Sequence, residues 1–490
     1  PVLLCIIGCN LTPTYCSCAQ FPQACTTQEA LDDRICCPLW NGSPCGSRFN
    51  RGTCAPHSPQ PLPKSKDYRE HWPSVFYDTV CTCYGNYDGF DCGQCSPGWT
   101  GPTCTQRHHV LRKEITDMTE SERVNFFESL QKAKTTTSSR YKILISNDTT
   151  VKDNYEFHHA TVYDLYVWLH YYAAKSFYGT HNNAAHMGPA FPFWHRVFLL
   201  FIEREIRDLT GNQDFYIPYW DWTRNPYCNI CINRYFGASN QDGTINRVSH
   251  FSRWRPICPY TEGNIICTPT TDESVHVLRQ PGTDPLFNTL PTIQDVIETL
   301  EMGTYDTSPY DRTATNSFRN KLEGFEITHA SPQLRSSMHN LVHNYLNGTV
   351  SDVPIAANDP IFMVHHSFID KLLEVWLRSH TNASYPESNE VFPPQRAHSN
   401  MAPFFPLRTN AYYWDRTTDL CVHLCVTKIN KSENLRHQSN KKHESLKPHL
   451  KRQWPVLSMF FVVLSCYCGV RQIIMISLFG VVLLCRPQEH

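Results

Sequence analysis

Ser337-Met-His-Asn-Leu-Val-His-Asn344 sets two histidines four residues apart, and Asp359-Pro-Ile-Phe-Met-Val-His-His-Ser-Phe-Ile-Asp370 follows closely. Positions i and i+4 share one face of a helix, so His339 and His343 can grip one ion. In the second stretch Asp359 reads as an N-cap and Pro360 as the first helical residue. Adjacent His365 and His366 then point about 100° apart. Only one of them is expected to face the same ion, and periodicity does not choose which. Asp370, one turn beyond His366, is expected to hold that ring's other nitrogen. The pair His339/His343 differs from the His-Glu-x-x-His zinc-protease motif, because Asn340 stands where the general base would be.

A second set lies upstream, in Trp168-Leu-His-Tyr-Tyr172 and His186-Met-Gly-Pro-Ala-Phe-Pro-Phe-Trp-His195. Val162 to Ala174 is apolar at helical spacing and carries His170 near its end. Pro192 precedes a helix expected from Phe193 to Leu209, stopped at Thr210-Gly211, with His195 in its first turn and His186 in the segment before it. Glu203, Arg204, Arg207 and Asp208 read as its wet face. A third helix is expected after Pro332, ending at Asn347-Gly348. A lone buried histidine is usually a hydrogen-bonded core residue, and one His-x3-His pair arises by chance among 24 histidines. Two three-histidine sets on four helices instead predict a mainly α fold, with a binuclear metal centre inside a four-helix bundle. No thiolate or carboxylate belongs to either set. Imidazole suits copper, zinc, iron and nickel, so ligand type leaves the metal open.

Working outward, 490 residues are enough for two or three domains. Lys and Arg total 44 against 45 acidic residues, a net charge of −1. No basic run with interleaved aromatics occurs, so no nucleic-acid partner is expected. Cysteines number 23, and ten lie between Cys25 and Cys104. Such density reads as a disulfide framework in an oxidising compartment. A zinc module is the alternative, but adjacent Cys36-Cys37 and the EGF-like run Cys81-x-Cys83…Cys92-x2-Cys95…Cys104 favour disulfides.

The ends complete the organisation. Val2 to Ile7 reads as the remnant of a signal core with cleavage after Ala19, and the true start is expected upstream of Pro1. Asn41, Asn147, Asn347, Asn382 and Asn430 stand in glycosylation acceptors. Residues 428–452 are rich in Lys, His and Ser and read as a disordered stalk. Val456 to Cys485 is apolar but split by Arg471-Gln472, and a central Arg costs roughly 2.5–3.5 kcal/mol on insertion. It is a candidate single-pass anchor. The expected domains are a signal remnant at 1–19, a Cys-rich EGF-like module at 20–106, a catalytic domain at 107–408, a polar linker at 409–455 and the candidate anchor at 456–485.

Around these residues the chain resembles the tyrosinase family of type-3 copper proteins, and most closely its vertebrate-type members. The resemblance runs from about Phe21 to Leu407. It is carried by Phe21-Pro-x-x-Cys25, Cys36-Cys37-Pro38, His71-Trp-Pro-Ser-Val-Phe-Tyr77, Tyr216-Ile-Pro-Tyr-Trp-Asp-Trp222, Ser317-Phe-Arg-Asn-Lys-Leu-Glu-Gly-Phe325 and Met401-Ala-Pro-Phe-Phe-Pro406. It implies His170, His186 and His195 as ligands of a first copper, and His339, His343 and His366 as ligands of a second. His365 becomes an outer neighbour. The resemblance also implies that Glu323 and Asn340 orient a water that deprotonates a phenol. O2 then serves to hydroxylate monophenols and to oxidise o-diphenols to o-quinones, the chemistry of melanin formation.

Phe193, Phe198, Phe325 and Phe362 are candidate pocket walls. The implied disulfides are Cys25–Cys36, Cys37–Cys54, Cys45–Cys81, Cys83–Cys92 and Cys95–Cys104, with Cys228–Cys231 and Cys258–Cys267 further on. The implied setting is the lumen of the secretory pathway or a pigment organelle, though no dileucine sorting signal is found. The alternatives are a tyrosinase-related enzyme holding two zinc ions and rearranging dopachrome, or a non-catalytic O2-binding or scaffold protein. His365, Phe198 and Tyr219-Trp-Asp-Trp222 favour the copper enzyme over the zinc one. Met187, Asn344 and Ala356 depart from the family's usual residues without touching a ligand. The oligomeric state is left open.

Overall fold

The computed structural model describes residues 20–57, 72–145, 155–177, 181–258, 274–328, 331–415 and the short strand 423–424. Gln20–Pro22 (β1) leads into a disulfide-rich stretch with a small sheet of Ile35–Cys36 (β2), Gly52–Pro56 (β3) and Thr79–Cys83 (β4), in the order β2-β4-β3. Apolar residues are too few there to build a large core, and cross-links hold it instead. All five implied pairs between Cys25 and Cys104 are formed, as is Cys228–Cys231. Cys258 is also disulfide-bonded, and its expected partner Cys267 lies outside the described residues. Arg51 acts as a pillar: its guanidinium lies 4.0 Å from the Trp40 ring centroid and 4.1 Å from that of Tyr87, and donates to the carbonyls of Cys92, Gly93 and Pro102.

The rest of the chain is organised on helices. Glu120–Thr135 (α1) starts with a capping box between Thr119 and Glu122. Thr137–Leu144 (β5) and Phe157–Thr161 (β6) follow, and β1 pairs antiparallel with β5. The first strand is thereby fastened to the helical part, with Phe21 fully buried against Phe76, Trp72 and Phe157. Val162–Ala174 (α2) is buried along its whole length, which fits its apolar sequence on all sides. Phe191–Thr210 (α3) has Pro192 in its first turn and ends at Gly211 with φ 75°. Phe318–Glu323 (α4), Phe325–Thr328 (β7), Ser331–Ser336 (β8), Met338–Leu346 (α5), Ile361–Ser379 (α6) and Asn410–Asp415 (α7) complete the elements that matter here. Helix α3 packs on α2 and α6, and α5 packs on α6.

Several expectations need correction. The third histidine helix starts at Met338, not after Pro332, because residues 331–336 pair with 325–328 as a hairpin. The fourth starts at Ile361, yet Asp359 still accepts from the Ile361 N–H at 3.1 Å. Glu203 is not on a wet face: it is 2 % exposed and accepts from Arg112 and from the Ile217 N–H, both at 2.9 Å. Strand 111–112 and the disulfide-rich stretch cover that side of α3, where Arg204 donates to Asp88 and Gln94 donates to Asp208. The packed chain also continues past residue 408, into the expected linker. Asn410 is buried and donates to the Pro394 and Arg396 carbonyls, and Trp414 packs edge-on to Tyr305. The signal remnant and the candidate anchor lie outside the described residues, among which no helix is long and apolar enough to cross a membrane.

Candidate metal centre

Helix α2 carries His170 in its last turns, the segment before α3 supplies His186, and the first turns of α3 supply His195. All three are buried, and one ring nitrogen of each lies within 4.8 Å of the others. On the opposite side α5 presents His339 and His343, and α6 presents His366; the His366 Nε2 is 3.3 Å from the Nε2 of both others. The two sets abut, with the His195 and His366 rings stacked at 4.2 Å and 13°.

The outer nitrogens explain the orientation. His195 Nδ1 faces the Phe191 carbonyl at 2.8 Å, His343 Nδ1 the Val350 carbonyl at 2.6 Å, and His170 Nδ1 the Pro354 carbonyl at 3.4 Å. His186 Nδ1 is 3.2 Å from Asn183 Oδ1, and His339 Nδ1 faces the Glu323 carbonyl and Asn340 Oδ1. A carbonyl can only accept, so each of these rings carries its proton on Nδ1 and turns an Nε2 lone pair inward. The Nε2 atoms of His170 and His195 are buried without a partner. Burial, the largest cause, holds all six rings well below the ordinary imidazole range, His195 to about 3 and His343 to about 4. They are therefore neutral ligands at pH 7. Converging ring nitrogens suit a cation, and the donor set of neutral imidazole fits copper.

Glu323 and Asn340 stand beside this centre. Both line a cavity of about 210 Å³ together with His170, Met187, Phe325, Asn344, Ala356 and Phe362. Glu323 ends α4, where Gly324 at φ 104° turns the chain into β7; a Cβ there would lie 2.0 Å from the Ser337 carbonyl oxygen. Its carboxylate accepts from the Met187 N–H at 2.6 Å and from Arg319 at 3.3 Å. Burial raises its pKa to about 7, against the opposing pull of Arg319 and Met187. Of the candidate walls, Phe325 and Phe362 reach the cavity. Phe198 stacks on Tyr166 at 3.8 Å behind His170, and Phe193 packs against Tyr305 and Trp414 in the core.

Asp370 does not hold His366. Its carboxylate takes Arg112 at 2.8 Å and Arg196 at 2.5 Å, and the Nδ1 of His366 has no partner. Two buried guanidiniums bind a carboxylate more strongly than a neutral imidazole can. Gln395 was invisible to sequence reasoning: it donates to the carbonyls of Asn183 and His186 and accepts from the Ala190 N–H, bracing the His186 segment. No local pattern links residues about two hundred positions apart. His365, implied as an outer neighbour, lies next to the second set, with one ring nitrogen within 4.8 Å of one each of His339, His343 and His366.

Residues 160–379, which include every histidine above, match the common central domain of tyrosinase. A tyrosinase of Pelophylax lessonae is 39% identical over 435 residues, covering 83% of this chain and 81% of that one. The chain belongs to the tyrosinase family. A Bos taurus tyrosinase is 38% identical over 449 residues, with 85% and 84% covered. A 5,6-dihydroxyindole-2-carboxylic acid oxidase of Gallus gallus is 36% identical over 434 residues, with 80% of each chain covered. This tyrosinase-family chain thus aligns with its relatives well beyond the central domain.

Proposed function

We propose that this chain is a type-3 copper tyrosinase, which hydroxylates monophenols such as tyrosine and oxidises o-diphenols to o-quinones with O2, in melanin formation. One observation carries the reading: two abutting sets of neutral, buried imidazoles open on a cavity that also holds a carboxylate of raised pKa. His170, His186 and His195 hold the first copper, and His339, His343 and His366 the second. A copper pair held there would bind O2 and relay its oxidising equivalents to the phenol. The chain's own residues do the rest. Phe325, Phe362 and Ala356 give the phenol ring apolar walls. Glu323 accepts the phenolic proton, directly or through a water that Asn340 orients; near pH 7 it is available in the carboxylate form. The Met187 N–H and Arg319 keep that carboxylate aimed. Identity of 39% to a tyrosinase, against 36% to the dihydroxyindole carboxylic acid oxidase, supports the tyrosinase reading over that of the related oxidase.

In this reading α2, α3, α5 and α6 form a four-helix bundle within a catalytic domain that runs from 107 past 408 to include α7, preceded by an EGF-like module at 20–106. The five disulfides of that module support a lumenal or extracellular setting. A linker and a single-pass anchor at 456–485 would then tether the domain. The test is copper content together with oxidation of L-tyrosine and L-DOPA by the copper-loaded full chain. Two coppers and quinone from both substrates are expected. Oxidation of L-DOPA alone would remove the roles of Glu323 and Asn340. Zinc retained against copper, with turnover of dopachrome only, would replace the reading by the tyrosinase-related one.

A further inference from the structure

We propose that the cavity between the disulfide-rich stretch and α3 is a binding site for a small organic oxyanion, a carboxylate or a phosphate ester. The proposal does not depend on the copper reading, because no histidine of the metal centre lines this cavity. Its volume is about 330 Å³, larger than the 210 Å³ cavity beside the metal centre. One wall is formed by residues 93–101, which the Cys95–Cys104 disulfide holds in place. The facing wall is α3 between Leu200 and Asp208. Four arginines, Arg112, Arg140, Arg204 and Arg207, line the space against two carboxylates, Glu203 and Asp208.

The hydrogen bonds around this cavity are lopsided. Glu203 accepts from Arg112, Arg207 and the Ile217 N–H, and Asp208 accepts from Gln94. The donors are left over. Arg112 is 1 % exposed, and its Nη2 has no partner. The Nε and Nη2 of Arg140, the Nε of Arg204 and the Tyr216 hydroxyl are likewise buried without one. Glu205 stands 3.6 Å from Arg140 Nε and 3.9 Å from Arg204 Nε, too far for a hydrogen bond. Five donor atoms on four lining residues thus lack an acceptor, against one lining acceptor, Gln94 Oε1, that lacks a donor. Buried donors without partners are destabilising. An oxyanion answers them, since guanidinium forks match carboxylate and phosphate oxygens. The cavity exceeds one oxyanion in size, and Trp99, Val110 and Leu200 add apolar surface. The oxyanion therefore sits on a small organic body.

The experiment is titration calorimetry of the copper-loaded full chain with glutarate and with glycerol phosphate, in the wild type, Arg140→Gln and Tyr216→Phe. At least one of the two acids is expected to bind the wild type, and the one that binds tells carboxylate from phosphate. Arg140→Gln should weaken that binding about tenfold or more, through lost hydrogen bonds to a charged group. Tyr216→Phe should weaken it severalfold. No binding of either acid to the wild type overturns the proposal, because water then satisfies the donors. Binding to Arg140→Gln at wild-type strength overturns it too, because the acid then sits elsewhere, the metal centre included. If Arg140→Gln does not fold, Tyr216→Phe decides, since it loses a single oxygen: weaker binding upholds the proposal and unchanged binding overturns it.

Discussion

Asp370→Ala tests the buried ionic clamp behind the metal centre. Asp370 is 2 % exposed and sits between Arg112 and Arg196. Arg112 also pairs with Glu203 at 2.9 Å, and Arg196 with Glu374 at 3.0 Å. Removing one partner of a buried ion pair costs about 3–5 kcal/mol, because the charge left behind stays out of water. Each guanidinium here keeps one carboxylate, so the low end applies, about 3 kcal/mol, or more than a hundredfold in the folding equilibrium. Urea unfolding of the copper-free protein measures it, as a lower midpoint at unchanged slope. Combining Asp370→Ala with Arg196→Met should show a coupling of at least about 0.5–1 kcal/mol, as residues in one network do. The clamp joins α3 to α6 beside His195 and His366, so copper retention should fall as well. A loss below about 1 kcal/mol, the size of an exposed pair, would refute the reasoning.

Glu323→Gln should keep both coppers but slow monophenol hydroxylation by about 10²–10⁴-fold, with diphenol oxidation much less affected; equal losses in both would remove its role as proton acceptor. Burial raises the Glu323 pKa to about 7 in the copper-free protein. Only the carboxylate accepts a proton, so hydroxylation should fall as pH drops below that value, or below a lower one once bound cations favour the charged form. The Gln variant should lack this limb in its pH–rate profile. Gly324→Ala would force a Cβ to within 2.0 Å of the Ser337 oxygen at φ 104°, so thermal melting should show a loss of more than about 1 kcal/mol; an unchanged melting temperature would refute the turn argument. Cys45→Ser with Cys81→Ser opens a loop of 36 residues and should lower stability by roughly 3–4 kcal/mol, read from denaturant unfolding of the purified variant.

Much was legible because the signals are local. The span of α2, with His170 near its end, the stop of α3 at Gly211 and the i, i+4 pair of α5 follow from periodicity and caps that act within one or two turns. Cysteine density likewise predicted a cross-linked module, although the pairing itself came from the family resemblance. What failed was long-range. Glu203 looked solvent-exposed because a charged residue on a helix usually is, yet strand 111–112 brings Arg112 onto it. Asp370 looked like a partner for His366 from its spacing, and two distant arginines claimed it first.

The sequence by itself determined that four helical segments carry two three-histidine sets, that a cross-linked module precedes them, and which family they resemble. Only the tertiary structure decided which ring nitrogen of His170 faces inward, because its orienting carbonyl comes from distant Pro354. It also decided that His365 lies with His339, His343 and His366. Helical periodicity separates neighbouring side chains by about 100° on one helix. It carries no information about a second helix packed close enough to meet both.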